Sequence, residues 1–196
     1  MENIVKDLSI MKKNSALFLR SPSISLLEAF LSGYVNEKNE EFEKVFFHDL
    51  YEFYTFYYIG SVSINYADYL IRTAADEKIA FRIFFDELDN FIGEYKLIVP
   101  ALEKILVCIK RKIPDLNVPF EKNYRLILDL DPIIKETKTF YSMVSLIRQY
   151  DNCIDEFDSI CGYKPTTVSD FCGFLKSRIA CINTIVREAT AYDYAN

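Results

Sequence analysis

Apolar residues recur along this chain at spacings of three and four, the period of helices that bury one face. Ile4, Val5, Leu8 and Met11 give a short first helix. Ser21-Pro22 reads as N-cap and first-turn proline of a second, with Leu26, Leu27, Phe30, Leu31 and Tyr34 turned inward and Ser25 and Glu28 at capping-box spacing. Gly33 falls inside that pattern, which predicts a close helix approach or the helix end. An aromatic helix follows from Phe42 to Gly60, and Ser61 or Ser63 is placed to cap the next, which turns Ile64, Ala67, Leu70 and Ile71 inward.

Asp76 is the expected cap of a long helix with Ile79, Ala80, Ile83, Phe84, Leu88, Phe91 and Ile92 on its inner stripe. Pro100 is expected to bend or restart it, with a further helix from Ala101 to about Lys112. The loop 113–119 carries two prolines and is the best internal boundary in what otherwise reads as a single domain over 1–196. Apolar and polar residues alternate through Tyr124, Leu126, Leu128 and Leu130, so 124–130 is read as a short strand, with helix or extended chain as the alternatives. Helical spacing returns with Phe140, Val144, Ile147, Tyr150, Ile154 and Phe157, stopped by Gly162 and Pro165. A last helix runs from a Thr166, Thr167 or Ser169 cap through Phe171, Phe174, Leu175, Ile179, Ile182 and Ile185. The pattern predicts a mainly α, compact multi-helix domain. Only 5 glycines and 6 prolines in 196 residues agree with long helices.

Charge narrows the range of partners. A formal net charge of -6 removes the cationic term behind most nucleic-acid affinity and favours a basic protein partner. Lys6, Asp7, Lys12 and Lys13 break any signal-peptide core, and the apolar stretch from Leu97 to Ile109 holds Pro100, Glu103 and Lys104, so no membrane segment is read and a cytoplasmic location is expected. Five cysteines, an odd number with no C-x-x-C pair, are read as reduced and mostly buried thiols.

Candidate chemistry is sparse. His48, the sole histidine, adjoins Asp49, yet neighbouring helix positions point about 100° apart and form no oriented dyad. Asp151, Asp155, Glu156 and Asp158 form the densest carboxylate group, with Asp151 and Asp155 one turn apart as in magnesium-dependent diphosphate enzymes. A solvated helix face explains them more simply. No phosphate-binding glycine loop or nucleophile elbow is present, no cofactor is called for, and an enzyme is unsupported.

The positive signal is aromatic. Nine rings fall in 17 positions: Phe42, Phe46, Phe47, Tyr51, Phe53, Tyr54, Phe56, Tyr57 and Tyr58. Most are expected in the core, with some of Tyr51, Tyr54, Tyr57 and Tyr58 exposed as contacts. Tyrosine gives large contact area at low rotamer cost, and adjacent carboxylates steer a basic partner. The expected partner-binding residues are therefore Asp49, Tyr51, Glu52, Tyr54 and Tyr58, with Asp151 and Asp155.

Ala16-Leu17-Phe18-Leu19, Ser23-Ile24, Leu27, Phe30-Leu31 and Gly33-Tyr34 form one motif; Glu77, Ala80-Phe81 and the run from Phe84 to Phe91 form a second. Together they resemble a loose group of small bacterial proteins found beside polymorphic secreted toxins and regarded as immunity proteins. The resemblance covers about residues 15–92 and implies a helical protein that binds and neutralises a toxin domain. The alternatives are a self-assembling helical module whose tyrosine surface mates with a second copy, and a small metal-dependent enzyme centred on Asp151 and Asp155.

Overall fold

Helices account for nearly all of the described chain. The computed structural model describes residues 4–37, 41–60, 65–161 and 167–191. Among them run α1 (Ile4–Lys13), α2 (Ile24–Glu37), α3 (Glu41–Tyr54), α4 (Tyr66–Thr73), α5 (Glu77–Lys112), α6 (Phe120–Leu128), α7 (Asp131–Lys135), α8 (Met143–Cys161) and α9 (Val168–Ala191). A 3₁₀ turn covers Ser15–Leu17, and a π-helical turn, Thr55–Ile59, prolongs α3. The described residues contain no strand, only one isolated bridge between Pro119 and Thr167. The chain is mainly α, as its periodicity predicts. No described helix is long and apolar enough to cross a membrane.

The chain divides into two compact units, Met1–Tyr95 with Cys181–Asn196, and Lys96–Ala180. In the first, Phe91 meets Phe46 at 5.7 Å, Phe53 at 5.5 Å and Tyr95 at 4.7 Å between ring centroids. The first two are edge-on, and such contacts add to the area that the rings bury. In the second, Phe120, Tyr150 and Phe171 form a triangle with sides of 5.0 to 5.1 Å. Arg178 lies over Phe174 at 5.6 Å and donates to the buried Gln149 carbonyl. The two-proline loop is tied to the start of α9 by Val168 N donating to Val118 O at 3.0 Å and Ser169 N to Leu116 O at 2.7 Å.

Caps explain several helix starts. Asp76 Oδ1 accepts from Ile79 N at 2.8 Å and opens α5 as expected. Thr167 and Asp170 bond reciprocally, with Asp170 N donating to Thr167 Oγ1 at 3.2 Å and Thr167 N to Asp170 Oδ2 at 3.1 Å, a capping box for α9. At α2 the cap is Ser23, not the expected Ser21, and Pro22 lies before the helix; Ser23 Oγ accepts from Leu26 N at 3.3 Å. Ser25 does not pair with Glu28; its hydroxyl and amide donate to Glu77, at 2.5 and 3.2 Å, so α5 completes the cap of α2. Asn65 Oδ1, accepting from Asp68 N at 2.8 Å, caps α4. Ser61, Ser63, Ile64, Gly162, Pro165 and Thr166 lie outside the described residues.

Four expectations are corrected. The segment 124–130 is no strand: Phe120, Ile127 and Leu130 are buried while Tyr124 is exposed, a stripe of period near 3.6 within α6 and the turn after it. Pro100 does not restart a helix, since α5 runs on through it. Gly33 lies within α2, exposed, with nothing within 4 Å of where a Cβ would stand, so it marks neither a close approach nor an end. Leu26, Ile71 and Val144 face outward rather than inward.

Candidate interaction surface

The buried stripe of α3 runs Phe46, Leu50, Phe53, and a continuing α-helix would carry it next to Tyr57. The π turn intervenes. Its wider loop, closed by Gly60 N donating to Thr55 O at 2.8 Å, shifts the helical phase by about one residue. Burial passes from Phe53 to Tyr54 and on to half-buried Tyr58, while Phe56 and Tyr57 turn out to 60% and 40% exposure. Tyr51, one turn earlier on the outer face, is 56% exposed. Gly60, at φ +63°, ends the turn in backbone space that side chains rarely adopt.

These outward rings are fixed rather than loose. Phe56 meets Tyr57 edge-on at 4.8 Å, Tyr57 meets Phe53 at 5.0 Å, and Tyr58 meets Tyr69 at 5.7 Å. Two carboxylates from α5 hold the phenols: Tyr58 Oη donates to Glu87, and Tyr57 is hydrogen-bonded to Glu94. Burial first, and then these carboxylates, push both phenols above the ordinary tyrosine range. Residues locked before binding lose little entropy on contact.

The expected contact residues separate into two groups. Tyr51 is exposed, and Glu52 and Tyr58 are half-buried at the surface. Asp49 and Tyr54 are corrected to core residues. Asp49 is fully buried, its Oδ2 accepting from Tyr95 Oη at 3.0 Å. Tyr54 packs in a cluster with Tyr66 at 5.2 Å and Phe84 at 6.3 Å, which also touch each other at 5.7 Å, and burial pushes its phenol upward. Of the nine rings from Phe42 to Tyr58, only Phe46, Phe53 and Tyr54 are buried, fewer than the expected majority. Asp151 and Asp155 are exposed on α8 in the second unit.

Sequence reasoning missed Phe56, Glu87 and Glu94. A period of 3.6 places Phe56 beside buried Phe53, and only the π turn overturns it; Thr55 and Gly60 bracket that turn, a faint signal at best. The His48–Asp49 geometry also differs from expectation, since His48 Nδ1 lies 3.4 Å from Asp49 Oδ1 at the edge of hydrogen-bonding range. Among the described residues no group of three or more His, Cys, Asp or Glu is placed to hold a metal ion. Cys172 and Cys181 are buried thiols, Cys108 is half-buried and Cys153 exposed; burial raises the Cys172 thiol, partly offset by Lys110 and Lys176. An open groove of about 370 Å³ lies between Pro22, Lys78, Ile79, Phe81 and Arg82, too shallow in polar groups to orient a small ligand.

Charge is divided unevenly between the units. The first holds 18 acidic and 10 basic residues, net -8; the second holds 11 and 13, net +2. The aromatic turn therefore belongs to the acidic unit. No family model, curated protein or solved structure matches this chain.

Proposed function

We propose that this chain is a binding protein, an immunity-type inhibitor that occludes a basic toxin domain. The observation that carries the reading is the outward aromatic turn: Tyr51, Phe56 and Tyr57 exposed, Tyr57 braced by Phe53 and Glu94, with Glu52, Glu87 and Glu94 in the same acidic unit. Rigid aromatic anchors with an acidic edge suit a partner rich in Lys and Arg, whose cations are attracted to both carboxylates and ring faces. The resemblance of residues 15–92 to toxin-associated immunity proteins supports the toxin as the partner class. Mating of this face with a second copy is disfavoured, because it would bring two units of net charge -8 together.

Tagged protein incubated in an extract of its own cells is expected to retain one basic domain at moderate salt and to lose it as salt rises, since exposed charges are screened beyond about 10 Å at 0.1 M. Glu52→Lys with Glu94→Lys should weaken retention and flatten the salt dependence. Capture only of further copies of itself, or a complex indifferent to salt and to both reversals, would overturn the reading.

A further inference from the structure

The second half of α5 buries one apolar stripe in the core and exposes another that mixes apolar and basic residues. Ile98, Leu102, Ile105 and Ile109 are buried. On the other side Leu97, Pro100, Lys104, Val107 and Arg111 are all exposed, Leu97 at 53% and Val107 at 66%. Their spacings of three, four, three and four are those of the a and d positions of a two-helix seam. We propose that this seam docks an acidic amphipathic helix of a partner protein.

The seam is long enough for that occupant. From Leu97 to Arg111 it spans about 21 Å at the helical rise of ~1.5 Å per residue, some four turns. An outer helix face in water is ordinarily polar, and the exposed Leu97, Pro100 and Val107 in one register, interleaved with Lys104 and Arg111, suit a helix-pair contact with charged edges. Lys104 is compatible with such a seam, because its stem lies along apolar surface while its ammonium reaches the edge; here it pairs with Glu136 at 3.7 Å, both side chains exposed.

Charge selects the occupant. Lys96–Lys112 contains five basic residues and one acid, Glu103. A second copy laid along the same seam would set Lys104 and Arg111 against like charges, which opposes self-pairing. A helix with leucine-type residues at a and d and Asp or Glu beside them satisfies both the apolar row and the cations. This surface lies in the unit of net charge +2 and stands independently of the basic partner proposed for the aromatic turn.

The test uses the full chain and two labelled synthetic helices of about three heptads, each with Leu at a and d, one flanked by Glu and the other by Lys. Fluorescence anisotropy should show saturable binding of the Glu-flanked helix, roughly tenfold or more tighter than its Lys-flanked counterpart. Val107→Asp, on an exposed position and with unchanged helical circular dichroism, should abolish that binding. Equal binding of the two helices, binding of neither, or binding that survives Val107→Asp would overturn the proposal. So would sedimentation of the free chain as a dimer that Val107→Asp dissolves, which would assign the seam to a second copy.

Discussion

Gly33 has open space where a Cβ would stand and lies inside α2, whereas Gly60 ends the π turn at φ +63°. Substitution by alanine therefore has opposite signs at the two positions. Gly33→Ala should raise the unfolding free energy by about 0.5–1 kcal/mol through helix propensity and a less free unfolded chain. Gly60→Ala should lower it by about 1 kcal/mol or more, since alanine is strained at that φ. Urea unfolding of the two variants beside the parent checks both. The phenols make a second residue-scale prediction. Tyr54, Tyr57, Tyr58 and Tyr66 are held protonated in the folded state, by burial first and by neighbouring Glu87, Glu94 or Glu28 after it. A folded pKa above the unfolded value of about 10 means that their contribution is complete below pH 10 and is lost as pH rises beyond it. Phenolate absorbance should show these four ionising together with alkaline unfolding, and Glu87→Gln should bring Tyr58 to lower pH. Ionisation of all 14 tyrosines at the ordinary pH with the helices intact would contradict this.

Elements test which periodicities were readable. In α6 the helical stripe puts Ile127 inside and Tyr124 outside. Ile127→Ala should cost about 2–5 kcal/mol and Tyr124→Ala well under half of that, whereas a strand with Tyr124 on its inner face would reverse the order. Pro100, exposed within α5, lacks a backbone donor, so Pro100→Ala should stabilise by about 1–3 kcal/mol; a loss of stability would mean that α5 depends on the proline. The stripes of α1, α5 and α9 were legible because apolar spacing and burial largely agree over successive turns. The errors arose where a local signal stood against a tertiary one. Pro100 and Gly33 are locally helix-breaking but sit within long packed helices, and the alternation at 124–130 is too short to separate a period of 2 from 3.6. Glu77 completing the cap of α2 pairs residues about 50 positions apart, which spacing along the chain does not reveal. The candidate surface was half legible. The aromatic window and its exposed Tyr51 follow from composition, but the phase shift of the π turn decides that Phe56 and Tyr57 face out and Tyr54 faces in.

At the scale of the molecule the chain joins an acidic unit bearing an aromatic turn to a weakly basic unit bearing a mixed apolar and basic seam on α5. The two surfaces differ in charge and in contact chemistry, so they are suited to different partners. Disrupting one should leave binding at the other unchanged, because the two surfaces belong to separate compact units. For the aromatic turn, the decisive comparison is capture from its own cells by the parent chain and by a Phe56→Ser/Tyr57→Ser variant whose helical circular dichroism is unchanged. Both rings are exposed, so the variant should fold. A basic toxin-like domain retained by the parent and lost by the variant is the expected result. Retention of the same domain by both chains, or capture of no basic protein by either, would place the function of this protein elsewhere.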